Sequence, residues 1–156
     1  MNAEPQIGGI APTFVLQNAA EEDVRLEDFR GAPVLLVFYP LDWSPVCGDQ
    51  LAEIRDRHSE FRDLWVQVVG VSVDSTYSHA AYAASTALPF PLLADFHPKG
   101  AVSTAYGVYN EEFGHTERAL FLIDGDGVLR WKTVVRPWEN PGVDEAIAQA
   151  QMLNNN

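Results

Sequence analysis

Val34-Leu-Leu-Val-Phe-Tyr-Pro40-Leu-Asp-Trp-Ser44-Pro45-Val46-Cys47 decides the reading of this chain. Its first half is a continuous apolar run rich in β-branched and aromatic residues, the pattern of a strand covered on both faces. Its second half opens a helix. Ser44 is a favoured N-cap residue, and Pro45 falls at the first helical position, where a missing N–H costs nothing. Cys47 then stands third in the helix, where unpaired backbone N–H groups and the positive end of the helix dipole favour a thiolate. A lone cysteine is more often a small buried hydrophobe than a nucleophile. Strand end, cap, proline and cysteine in this order favour the reactive reading, because ligands of open α/β sheets bind at the carboxyl ends of strands.

Downstream, Leu51, Ile54, His58, Phe61 and Trp65 fall on one helical face and predict a long amphipathic helix. With Cys47 at its head, this stripe aims the thiol inward, toward a pocket. Val66–Asp74 is a second strand, so residues 34–74 form a βαβ unit. Ser78–Thr86 reads as a short helix, Phe90–Ala94 as a short strand and Gly100–Tyr106 as a helical turn. Ala119–Ile123 and Val128–Val134 flank Asp124-Gly-Asp-Gly127 as a hairpin. Pro141–Met152 reads as a closing helix, and Thr13–Leu16 with Asp23–Leu26 as an N-terminal β-hairpin. Alternating strands and helices with a late hairpin predict an α/β architecture, a mixed central sheet flanked by helices. About five N-terminal residues and the polar tail Asn154–Asn156 are expected to be loose ends.

The chain has 156 residues, 47% of them hydrophobic, which fits one globular domain over residues 1–156. Ten basic against 22 acidic residues give a net charge of −12, which repels phosphate backbones and anionic membrane surfaces. Lysines and arginines form no patch, so nucleic acid is not an expected partner. A single cysteine excludes an intrachain disulfide and a Cys₄ or Cys₂His₂ zinc site. The start MNAEPQIGG lacks a signal-peptide pattern. The apolar run Val34–Leu41 is far shorter than the ~20 residues of a membrane span. A soluble, cytoplasmic protein is expected. His58 reads as a core residue, and His79, His97 and His115 have no metal spacing. Val128, Leu129 and Val135 stand where a calcium loop after Asp124 needs a ligand, a glycine and a glutamate, so that loop reads as a turn.

Pro40-x-x-x-Ser44-x-x-Cys47 resembles the peroxiredoxin pattern Pro-x-x-x-Thr/Ser-x-x-Cys, and Arg118, at the head of Arg-Ala-Leu-Phe-Leu-Ile-Asp124, matches that family's active-site arginine. Gly8-Gly-Ile-Ala-Pro12-Thr-Phe14-Val-Leu16, Val71-Ser-Val-Asp74-Ser75 and Pro91-Leu-Leu-Ala-Asp95 resemble further family segments, so the likeness covers nearly the whole chain. FYPLDWSPVC and the missing second cysteine resemble most the one-cysteine, alkyl-hydroperoxide-reductase-E-like group. Ser44 replaces the commoner threonine, Tyr82 stands where many members have tryptophan, and Gln50 where many have glutamate.

The resemblance implies a thioredoxin-like fold and an antioxidant, thiol-dependent peroxidase acting on hydrogen peroxide or organic hydroperoxides. Cys47 would attack the terminal peroxide oxygen and become a sulfenic acid, releasing water or alcohol. Arg118 would donate to sulfur and peroxide through its rigid fork. Ser44 would bridge sulfur and peroxide oxygen, the backbone N–H groups of Cys47 and Val46 would donate to the peroxide, Pro40 would close the site, and Trp43 would line its rim. No metal, haem or flavin is implied. The sulfenic acid would be reduced by an external thiol, either a low-molecular-weight thiol or a thioredoxin- or glutaredoxin-like protein. The resemblance also implies a homodimer. Two other readings use the same residues: a peroxide sensor signalling through a mixed disulfide, and a non-catalytic thioredoxin-fold chaperone or interaction module with an inert Cys47.

Overall fold

Side chains alternate across β3 (Val34–Phe38), and this alternation divides the interior into two layers. In the computed structural model, which describes residues 4–154, Leu35 and Val37 face one hydrophobic cluster, and Val34, Leu36 and Phe38 face another. A strand apolar on both faces needs a cover on each. The first is covered by α1 (Pro45–Asp56), α2 (His58–Asp63) and α5 (Asp144–Asn154), through Leu51, Ile54, Phe61, Val143 and Ile147. The second is covered by Ala11 and Phe14 near the N-terminus and by Tyr106 and Val108, just after α4 (Ala101–Ala105).

Among the described residues the main sheet has seven strands in the order β2-β1-β5-β4-β3-β8-β9. β4 (Gln67–Ser72) runs parallel to β3, and β5 (Leu92–Ala94) parallel to β4. α3 (Thr76–Thr86) makes the crossover between β4 and β5. β8 (Arg118–Ile123) pairs antiparallel with β3 and forms the late hairpin with β9 (Leu129–Val135). The N-terminal hairpin, β1 (Val15–Gln17) with β2 (Asp23–Arg25), extends the other edge through β5. The expected α/β architecture is therefore present. A Cβ at Gly70 in β4 would lie 2.6 Å from Leu92 Cδ2 and 3.3 Å from the Tyr39 ring, so glycine leaves room there for both side chains.

Several details differ from the sequence reading. The long helix is two: Arg57 leaves helical geometry at φ −109°, ψ 13°, and its guanidinium binds Glu60 and Asp144. The break keeps Phe61 in the core and leaves His58 half-buried beside Phe90. Trp65 is 78% exposed, because α2 ends at Asp63 and Trp65 adopts φ 61°, which takes it off the helical stripe. A two-stranded ribbon, β6 (Tyr109–Asn110) with β7 (His115–Thr116), lies where no strand was predicted. Pro5 is buried and its carbonyl accepts from Lys132 Nζ at 2.9 Å, so that part of the N-terminus is docked, and Asn154 is the exposed last residue of α5. Residues 1–3 and 155–156, also expected to be loose, lie outside the described residues.

Candidate active site

The turn between β3 and α1 builds the site as its sequence predicts. Ser44 caps α1 in extended geometry, Pro45 is the first helical residue, and the Cys47 N–H donates to Ser44 Oγ at 3.4 Å. Cys47 thus occupies the third helical position, among the donors that lack intrahelical acceptors. Its side chain is wholly covered rather than set in an open pocket. Pro40 is buried beneath the turn, Val46 is half-buried and Trp43 is 56% exposed, with its ring 5.0 Å from that of Tyr82. Trp43 holds φ 73°, a left-handed conformation unusual for an aromatic residue and sustained only where the surroundings enforce it.

Strand register explains how a residue 71 positions away reaches the sulfur. Phe38, the last residue of β3, is opposite Ala119, so antiparallel pairing places the start of β8 beside the β3–α1 turn. Arg118 is 1% exposed and donates from Nη2 to Cys47 Sγ at 3.3 Å. Nη1 donates to Gln50 Oε1 at 2.6 Å, while Nε and Nη2 reach the Pro137 carbonyl at 3.2 and 2.6 Å. Apart from the sulfur, these partners are neutral oxygens. The fork is thus held by Gln50 and Pro137 with Nη2 directed at the sulfur.

Two polar groups beside this centre were marked in the sequence as departures from the family pattern but not as site residues. Gln50 is fully buried and its Nε2 has no partner; Tyr82 is 3% exposed and its hydroxyl has none. Burial pushes the Tyr82 phenol up to about 12, with the negative charges of Cys47, Asp42 and Asp74 adding and Arg118 opposing. Both residues are departures from the peroxiredoxin pattern, and that was the signal available.

A second buried cluster underlies the turn. Asp42 Oδ1 accepts from Tyr39 Oη at 2.6 Å, and Asp42 Oδ2 lies 2.8 Å from both Ser78 Oγ and His79 Nδ1. The Asp42 N–H donates to Asp74 Oδ2 at 2.8 Å, and Ser72 Oγ donates to that oxygen at 2.5 Å. Ligand atoms of Asp42, Asp74 and His79 lie within 4.8 Å of one another. They are already committed to each other, to Tyr39, Ser72 and Ser78 and to the Leu93 carbonyl, so the set reads as a closed hydrogen-bond network.

The model of the AhpC/TSA family matches residues 7–132. The chain belongs to the AhpC/TSA family. It is 39% identical over 134 residues to alkyl hydroperoxide reductase E of Mycobacterium tuberculosis, covering 85% of this chain and 88% of that protein. It is 39% identical over 155 residues to peroxiredoxin-2 of Bos taurus, covering 93% of this chain and 77% of that protein. Among solved structures, the peroxidoxin BcpB of M. tuberculosis superposes with a TM-score of 0.86 at 26% identity, covering 96% of this chain and 99% of that one. A reduced 2-Cys peroxiredoxin of Plasmodium vivax gives 0.86 at 27% identity, covering 96% and 82%. This AhpC/TSA-family protein is therefore a peroxiredoxin with a thioredoxin-like fold, an antioxidant enzyme with thiol-dependent peroxidase activity. No helix among the described residues of this peroxiredoxin is long and apolar enough to cross a membrane.

Proposed function

We propose that Cys47 is the reacting group and that Arg118, Ser44 and Pro40 complete the catalytic site. The contact between Arg118 Nη2 and Cys47 Sγ at 3.3 Å carries this reading. The thiolate attacks the terminal oxygen of a hydroperoxide, an S–O bond forms as the O–O bond breaks, and the departing oxygen takes a proton to leave as water or alcohol. Arg118 donates to both reacting partners through its fork. The N–H groups of Val46 and Cys47 hold the peroxide in place, and the Ser44 hydroxyl bridges sulfur and peroxide as charge develops on the departing oxygen. Buried Pro40 keeps water from the sulfur, and Trp43 forms the rim.

Cys47 is the sole cysteine, so the sulfenic acid is reduced by external thiol. Two equivalents, or one dithiol protein of the thioredoxin or glutaredoxin kind, return Cys47 to the thiol and leave as a disulfide with water. That chemistry fits a reducing, cytoplasmic setting. The single domain pairs with a second copy, and exposed Trp43, Phe96, Phe113 and Trp138 offer apolar surface for packing. The test is stopped-flow Trp fluorescence against hydrogen peroxide and a bulky organic hydroperoxide, with Trp43 as the reporter. A second-order fluorescence change lost in Cys47→Ser supports the reading; an unchanged trace in that variant sinks it.

A further inference from the structure

The turn that presents Cys47 is held by the second buried cluster rather than by its own hydrogen bonds alone. Asp42 lies between Pro40 and Ser44. Its side chain is bound from two sides, by Tyr39 just after β3 and by Ser78 and His79 in α3, while its N–H is tied to Asp74 beyond β4. Asp42 and His79 side chains are both wholly buried. The next residue, Trp43, is the one forced into a left-handed conformation. Such a backbone persists only where neighbours over-determine it, and Asp42 supplies that constraint.

His79 ties the turn to β5. Its Nδ1 lies 2.8 Å from Asp42 Oδ2, and its Nε2 lies 3.1 Å from the Leu93 carbonyl. The Ser72 hydroxyl, 3.5 Å from Nε2, directs its proton to Asp74. Nε2–H donates to the Leu93 carbonyl, and one proton between Nδ1 and Asp42 Oδ2 joins the ring to the carboxyl group. The titratable groups facing it are Asp42, Asp74 and Tyr39, with Tyr82 one turn along α3.

We infer that Asp42 and His79 are positioning residues for the peroxidase reaction, a buried, hydrogen-bonded carboxyl–imidazole pair that pins the Pro40–Ser44 turn to α3 and β5 and so holds Cys47 in line with Arg118. This rests on the peroxidase reading. Neither residue touches peroxide. The pair acts by keeping Ser44 at its cap and the sulfur covered. Its loss lets the turn move, which slows reaction with peroxide, because small misplacements of reacting atoms are costly. The same movement exposes the thiol to a bulkier, less demanding reagent.

The experiment compares Asp42→Asn, His79→Gln, the double variant and Tyr39→Phe with wild type, each shown to be folded by circular dichroism. Two rates are read for Cys47, oxidation by hydrogen peroxide and alkylation by iodoacetamide. Peroxide oxidation falls at least about tenfold in each single variant of the pair while alkylation accelerates, and the double variant falls no further, since coupled groups are not additive. Tyr39→Phe removes one donor to Asp42 and lowers the peroxide rate about threefold; it keeps the test open if loss of one buried charge unfolds the others. Peroxide rates equal to wild type, or losses that multiply in the double variant, each overturn the proposal. A wild type that does not reduce peroxide overturns the peroxidase reading instead.

Discussion

Arg118 donates to the sulfur of Cys47 at 3.3 Å from the first residue of the strand that pairs antiparallel with β3. The guanidinium is buried, and its other partners are the neutral oxygens of Gln50 and Pro137. The fork is thus held with Nη2 aimed at the sulfur. Removing a preorganised charged donor from a reacting centre costs 10²–10³ in rate, about 2.7–4 kcal/mol. Arg118→Met should cut the rate with hydrogen peroxide about a hundredfold at pH 7, and the loss should persist at pH 9. Recovery at pH 9 would assign Arg118 to thiol ionisation alone; no loss at either pH would remove it from the site.

Ser44 caps the helix that carries Cys47. Its oxygen accepts the Cys47 N–H, so Ser44→Ala removes the cap of α1 at a cost of ~1 kcal/mol. In a chain of this size that lowers Tm by roughly 2–4 °C. Thermal unfolding should show this shift together with a slower peroxide reaction. Ser44→Thr restores the hydroxyl and should recover both.

Excess peroxide without thiol should carry Cys47 beyond the sulfenic acid, because no second cysteine can trap it. Intact-mass spectrometry should show the gain of two oxygens, and Cys47→Ser should show neither addition. A stable single-oxygen product at high peroxide would point to protection of the sulfenic acid within the folded chain.

Alkaline stability should be set by buried phenols. Burial, aided by the Asp42 charge, holds Tyr39 well above its ordinary value of 10.0; burial puts Tyr82 at about 12, and burial raises Tyr106 as well. The unfolded chain ionises these groups from about pH 10, while the folded chain keeps their protons. Stability from their neutral forms is therefore complete below pH 10 and is lost as pH rises through the folded values. Thermal unfolding should weaken steeply above pH 10. Absorbance of phenolate in the native protein should account for no more than two of the five tyrosines until unfolding begins. Full phenolate absorbance in a still-folded protein would contradict this.

Dimerisation should be independent of redox state. The one cysteine is buried and cannot reach a second copy without local opening. Light scattering should give the same mass with and without reductant. A dimer found only under oxidising conditions would mean an intermolecular disulfide rather than packing.

The strand, turn and helix of residues 34–56 were legible because local chemistry fixes them: a doubly apolar strand, a serine cap and a proline in the first turn. Arg118 was legible only through the family likeness, since no local rule ties residue 118 to residue 47; register does that. The helix break at Arg57 has no glycine or proline to announce it and depends on partners as distant as Asp144. Trp65 looked like core because periodicity does not show where a helix stops. The Asp42–His79 network was missed because its members come from β3, β4, α3 and the turn between, and each alone reads as an ordinary turn or helix residue. The orphan groups of Gln50 and Tyr82 appear only once burial is known.

Cys47 has no surface open to solvent. A peroxide is a few atoms across, whereas a thiol-bearing protein is far larger than any gap a side chain can leave. Recycling of an oxidised Cys47 by such a protein should therefore require local opening of the chain, and turnover should level off as that reductant is raised.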